Sequence, residues 1–207
     1  GTPAGIAAGK LLLTNGGTGQ ATSAYYKTAV NVASFNMQFN FQINGGTATK
    51  ADGMTFVLQN TGLTAVGAAG GGLGYNGIGN SIAVKFDLFN STGEGNNSTG
   101  LLINGVPGAS VNLTGTGIDL HSGHIFNAAL SYTGTTLTVT IKDTVTLATA
   151  TQNYTVNIPA VIGSTTAYAG FTGGTGGLTA VQNVLNWTYT VTSGAAPAAA
   201  RMASATA

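Results

Sequence analysis

The sequence predicts an all-β fold from three observations. Apolar residues alternate with period two, glycine-rich segments separate the alternating stretches, and no ten-residue stretch carries an apolar stripe at the helical period. The clearest strand spans 34–43. There Phe35, Met37, Phe39, Phe41 and Ile43 point one way, and Asn36, Gln38, Asn40 and Gln42 the other. Before it, 11–14 and 24–27 read as shorter strands. After it, 54–58 and 82–88 are denser apolar runs, as expected of strands nearer the centre of a sheet. A strand ending at Tyr132 turns through Thr133-Gly134-Thr135 into 137–141, where Leu137, Val139 and Ile141 alternate with Thr138 and Thr140. Tyr154, Val156 and Ile158 alternate ahead of Pro159, and 167–171 and 184–191 complete the set. Residues 44–46, 70–74, 91–100 and 173–177 read as glycine-rich loops. Short strands joined by such loops predict a β-sandwich or barrel.

The length suits one domain, assigned to residues 1–191. From 192 to 207 the composition becomes alanine-rich with no strand pattern, which reads as a terminal extension, a linker or an assembly arm. No run reaches the ~18 consecutive apolar residues of a membrane helix, and the first ten residues lack the apolar core of a targeting peptide. Polarity comes from Thr, Ser, Asn and Gln, with only 5% charged residues against about 25% in an average domain. Such a surface suits an extracellular or cell-surface protein.

The charge count excludes several chemistries. Six Lys and Arg against five Asp and Glu give a net charge of +1, too little to neutralise a nucleic-acid backbone. The absence of Cys removes disulfides, thiolate metal sites and cysteine nucleophiles. One Glu and four Asp leave no strand with the paired carboxylates of a glycosidase, and no GxSxG elbow occurs. An enzyme is therefore not expected. His121 and His124 read as a polar turn rather than a metal pair, and Trp187 as a core residue. Asn-X-Ser/Thr sequons at Asn90, Asn96, Asn97, Asn112, Asn153 and Asn186 are expected by chance in so Asn- and Thr-rich a chain.

Three of the five acidic residues cluster in or beside two loops. Asp52 precedes a strand, Asp87 lies near the end of another, and Glu94 follows in a loop with Asn90, Asn96 and Asn97. Individually these read as loop-capping carboxylates. Together they offer the hard oxygen ligands that suit Ca²⁺.

Five ordered blocks carry a resemblance. They are Leu11-Leu12-Leu13-Thr14 with Ser23-Ala24-Tyr25-Tyr26; 35–43 with Ala51-Asp52-Gly53-Met54-Thr55-Phe56; Gly71-Gly72-Leu73-Gly74; Val84-Lys85-Phe86-Asp87-Leu88-Phe89-Asn90; and Gly170-Phe171-Thr172-Gly173-Gly174-Thr175-Gly176 with Val184-Leu185-Asn186-Trp187. Over roughly 9–190 the chain resembles a legume-type (L-type) lectin domain, in a form seen in bacterial proteins. The resemblance implies a two-sheet antiparallel β-sandwich, a concanavalin A-like jelly roll. It also implies carbohydrate binding at loops gathered at one end, with Asp52 accepting from sugar hydroxyls. Gly72 is expected to donate a main-chain N–H, Phe89 to face the sugar ring, and Asn90 to order the site. Gly177 and Leu178 fall in the specificity-setting loop, and the Ala51–Asp52 peptide is expected to be cis.

Two departures shape the remaining expectations. Where the family has a metal-binding Glu this chain has Lys85, and no His follows in the next loop. No transition metal is expected, and Lys85 is expected to sit as a fixed cation beside Asp87. A Ca²⁺ site at Asp87, Asn90 and Glu94 stays open, completed by carbonyls and water. Only GTPAGIAAG precedes the first block, so the chain is trimmed there, or 2–8 supply the family's first strand, or the sheet edge is left open to another chain. The leading expectation is thus a secreted, Ca²⁺-assisted glycan-binding module. The alternative is a structural subunit of an extracellular filament, surface layer or matrix, a homo-oligomer built on the same scaffold.

Overall fold

The alternation over 34–43 becomes β5 (Phe35–Asn44), whose odd-numbered side chains are all buried. In the computed structural model, which describes residues 4–192 and 200–201, this strand sits inside the larger of two antiparallel sheets. Its neighbours are β14 (Val181–Val191) and β10 (Ile125–Tyr132). The eight-stranded sheet continues outward through β11 (Thr136–Asp143) to β12 (Thr149–Thr155) on one side. On the other it runs through β2 (Lys10–Asn15) to β1 (Gly5–Ala7). The seven-stranded sheet runs β3 (Ala21–Tyr25), β13 (Thr166–Gly174), β6 (Gly53–Gln59), β7 (Ser81–Asp87), β8 (Ser98–Ile103), β9 (Ser110–Asn112). The short β4 (Val30–Asn31) pairs with β13 as well. The architecture is the two-sheet antiparallel sandwich that the resemblance implies.

Aromatic rings hold the sheets together. Phe39 of β5 meets Phe56, Phe86 and Phe171, one from each central strand of the opposing sheet, at centroid distances of 6.2, 5.6 and 5.0 Å. Two of these contacts are edge-on, an arrangement that ring quadrupoles favour. Trp187 is buried against Phe171 and Tyr26, a core role as expected.

Both faces of β6 and β7 are buried. Met54, Phe56 and Leu58 face the opposing sheet, as do Ile82, Val84 and Phe86. The other face lies under the 60–80 segment, where Val57 and Ala83 join Tyr75, Ile78 and Leu102 in a second apolar cluster. This double coverage explains why the two strands read as dense apolar runs.

Three details depart from the sequence reading, and one alternative that it left open is decided. The alternation of Tyr154, Val156 and Ile158 is not one strand. β12 ends at Thr155, and α1 (Ile158–Ile162) follows, capped by the Asn157 side chain at Ala160 N, started by Pro159 and stopped at Gly163 in the left-handed region. One helical turn buries only Ile158 and Ile162, too little to print a period. The loop over 91–100 ends sooner than expected, because β8 begins at Ser98. Gly100 has a packing reason to lie in that strand: a Cβ there would stand 2.6 Å from the Ala109 carbonyl oxygen. Residues 5–7 do supply a first strand, antiparallel to β2. Finally, β15 (Ala200–Arg201) pairs with Thr188 and Tyr189 of β14, on the side where β2 pairs farther back along the strand. The rest of the expected tail, 193–199 and 202–207, lies outside the described residues.

Replacing Phe39 by Ala is expected to cost about 3–5 kcal/mol, as for other buried aromatic truncations, measured by denaturant unfolding. Gly100→Val is expected to detach β9 from β8. Amide exchange would show it as lost protection at Ser110–Asn112 while β6 and β7 stay protected.

Candidate functional site

The register of the seven-stranded sheet gathers three loops at one end. Gly53 faces Asp87 on one side and Gly174 on the other, so the ends of β6, β7 and β13 lie together. Asp52 is the residue just before this point. Its N–H donates to the Gly174 carbonyl at 3.2 Å, and its own carbonyl accepts from Leu88 N at 2.8 Å. The Ala51–Asp52 peptide is cis. Asp52 is 5% exposed, and its Oδ2 is buried with no hydrogen-bond partner among the described residues. Gly176 and Gly70 lie beside that oxygen: a Cβ on Gly176 would stand 3.2 Å from it, and one on Gly70 3.9 Å. Burial pushes the carboxyl above its ordinary pKa, and the Gly176 N–H partly opposes this. A buried carboxylate oxygen without a donor is costly, and a small shift of the Gly70 or Gly176 backbone would open it to a ligand hydroxyl.

The glycine loop forms a 3-10 turn over Gly70–Gly72. Gly70 N donates to the Thr175 carbonyl at 3.1 Å, tying this loop to the one after β13. Gly72 is buried and its N–H donates to Ala69 O at 3.1 Å, so the donor expected of Gly72 is committed inside the turn. The exposed member is Gly71. A Cβ there would collide with the Ser91 hydroxyl, which places the glycine loop against the loop after β7. Thr175 was not among the sequence candidates, yet it anchors this end. Its hydroxyl donates to Gly17 O at 2.7 Å and accepts from Gln20 N at 3.0 Å. Its only sequence signal is being the one side chain within the 173–177 glycine run.

The loop after β7 is built on charge. Lys85 and Asp87 share the outward face of β7, and Lys85 Nζ lies 2.8 Å from Asp87 Oδ2 and 3.5 Å from Glu94 Oε1. Asp87 Oδ1 accepts from Phe89 N at 3.1 Å. Glu94 accepts from Ser91 N, Thr92 N and the Thr92 hydroxyl at 3.3, 2.7 and 2.6 Å. Burial pushes Asp87 up to about 6, against the pull of Lys85. Glu94 is raised by burial but more than offset by the Thr92 hydroxyl, main-chain N–H groups and Lys85, which hold it down to about 2. Asn90 is exposed, with its Oδ1 accepting from Gly93 N at 2.7 Å.

These geometries bear on the Ca²⁺ site expected at Asp87, Asn90 and Glu94. Every one of the three side chains already accepts from an N–H of its own loop or from Lys85. An ion within the usual ~2.3–2.6 Å of Asp87 would share Oδ2 with the ammonium. Among the described residues no three His, Cys, Asp or Glu side chains gather as metal ligands. The donor set does not fit a divalent ion. The histidines are engaged elsewhere: His121 Nε2 lies 2.6 Å from Asn96 O, and His124 Nδ1 2.8 Å from Asp143 Oδ2.

Of the remaining candidates, Phe89 is 37% exposed, Gly177 is exposed and Leu178 half-buried. The structure therefore brings Asp52, Gly71, Phe89 and the 175–178 loop to one end of the sandwich. It turns the Asn90 side chain back into its own loop.

Solved structures share this two-sheet fold. The lectin of Bauhinia forficata, solved in complex with GalNAc, superposes with a TM-score of 0.79 at 21% identity, over 92% of this chain and 90% of that one. Peanut lectin gives 0.78 at 21% identity, over 90% and 87%. Lectin I-B4 from Griffonia simplicifolia, in its metal-free form, gives 0.79 at 22% identity, over 92% and 91%. At the sequence level, an uncharacterized protein, ORF413, of Acidianus filamentous virus 2 is 33% identical over 148 residues, 64% of this chain. The chain spans about a third of that relative's length. The profile of the legume lectin domain matches residues 4–205, beyond the 9–190 spanned by the five blocks, and the chain belongs to that family.

Proposed function

We propose that the chain binds a glycan at the loop end of the sandwich, outside the cell or at its surface, without catalysing a reaction on it. The observation that carries this reading is the buried Asp52 carboxylate, with an unpartnered oxygen beside the Gly70 and Gly176 backbones. A sugar hydroxyl donates to this carboxylate, and the exposed Gly71 offers a main-chain N–H in place of Gly72. Phe89 supplies an apolar ring against the C–H face of the sugar, and Gly177 and Leu178 border it. A few polar groups around one ring match the mixed surface of a saccharide. Two structural neighbours were solved with GalNAc or methyl-α-D-galactose, which makes galactose-type sugars the first to try. Calcium takes no part in this reading of the site, because the donor set at Asp87, Asn90 and Glu94 does not fit it.

A second reading, self-association into a filament or layer, is favoured by the outer face of the eight-stranded sheet. Asn36, Gln38, Ser131, Thr138, Thr140 and Thr188 line one shallow groove there, with no charge to oppose a second copy. A strictly monomeric chain by light scattering at high concentration would sink this reading.

On a glycan array, the wild type is expected to bind and Asp52→Asn to lose at least about tenfold in affinity, the scale of one charge-assisted hydrogen bond. A wild type that binds no glycan would overturn the proposal. The carboxylate accepts only when ionised, and burial raises its pKa. Binding is therefore expected to weaken with acidification at a higher pH than an ordinary Asp would dictate. Isothermal calorimetry across the acid range checks this.

A further inference from the structure

The structure assigns Lys85 the role of a resident cation: its ammonium holds Asp87 and Glu94, and through them the loop carrying Phe89, so the site assembles without a divalent metal. The geometry is continuous. Lys85 Nζ meets Asp87 Oδ2 at 2.8 Å, and Asp87 Oδ1 then fixes the near limb of the loop through Phe89 N. Lys85 Nζ also lies 3.5 Å from Glu94 Oε1, and Glu94 gathers the tip of the loop through Ser91 and Thr92. Lys85 is itself fixed. Its side chain is 6% exposed, and its carbonyl accepts from the Thr99 hydroxyl at 2.8 Å on β8.

The charge arithmetic supports the assignment. Asp87 and Glu94 contribute two negative charges beneath one loop and Lys85 one positive; water is largely excluded from all three side chains, and the remaining negative charge is met by the Phe89, Ser91 and Thr92 N–H donors. Buried carboxylates need a counter-charge close by. A bound ion would supply it only while its concentration stays above its dissociation constant. A lysine on the same strand supplies it by covalent attachment, independent of metal supply. The inference concerns how the proposed site is held together and does not depend on its ligand.

The test uses the full chain purified without chelator. Elemental analysis is expected to find no stoichiometric Ca²⁺, Mn²⁺ or Zn²⁺, and the Tm to be unchanged by EDTA or by added Ca²⁺ or Mn²⁺. Lys85→Met, which keeps the stem and removes the charge, is expected to lower the Tm by roughly 6–20 °C, the scale for breaking a buried ion pair in a domain of this size. Lys85→Glu puts three carboxylates together. Its Tm is expected to fall in EDTA and to recover in Ca²⁺ or Mn²⁺, a response that a lysine with only a packing role would not produce. Stoichiometric metal in the wild type, a Tm that drops with EDTA, or a Lys85→Met Tm equal to wild type would each overturn the inference. So would a folded Lys85→Glu that is indifferent to both metals. If Lys85→Glu does not fold, the wild-type and Lys85→Met measurements decide. No readout contains a glycan, so a failure to bind sugar and a failure of this inference are separately visible.

Discussion

The central strands of the smaller sheet are covered on both faces, and the site depends on that constraint. Toward the larger sheet they present Phe56, Phe86 and Phe171 to Phe39. Away from it they carry polar side chains that become buried only because loops lie across them. Each such group must find a partner on those loops. Thr55 and Thr172 share a hydrogen bond at 2.7 Å, and the Thr172 hydroxyl also holds Leu73 O of the glycine loop at 2.8 Å. Lys85 and Asp87 do the same for the loop after β7. The sheet therefore dictates loop position through the polar half of its own alternation.

That division explains what was legible in the sequence. The inward half is written in large apolar residues, so the strands around Phe39 and the sandwich itself could be read from periodicity. The ordered blocks then located Asp52 and the gathering of loops. Lys85 was legible too, because the resemblance sets it where the family has a metal-binding Glu, beside Asp87. The outward half was less readable. Thr55, Thr172 and Thr175 look like ordinary strand or loop threonines, and only the fold reveals which carbonyl each one holds. The single-turn helix at Ile158 has too few residues to register as a period. Which glycine keeps its N–H available, Gly71 or Gly72, is decided by a 3-10 turn that follows from tertiary contacts with Thr175 and Ser91. The Asn90 side chain has a similar history: an exposed amide two residues before a Thr-Gly turn satisfies the turn first.

The loop end is also where small residues carry the most geometric weight. Gly70 and Gly176 flank the Asp52 carboxylate, and a Cβ on Gly174 would stand 2.9 Å from Gly70 O. A side chain at any of these positions would close the approach to Asp52 or force the loops apart. Low side-chain volume at this end is what allows a buried carboxylate to stay near the surface.

Gly177 differs from those neighbours. A Cβ there would meet nothing within 4 Å, and its backbone does not occupy the left-handed region. The position sits at the rim beside Leu178, outside the contacts that hold Asp52 in place. Side chains of many shapes fit there at little cost in folding free energy. The scaffold thus separates the residues that build the loop end from a rim position free to vary, so a lineage carrying this fold can reshape the rim at 177 while the framework beneath stays fixed.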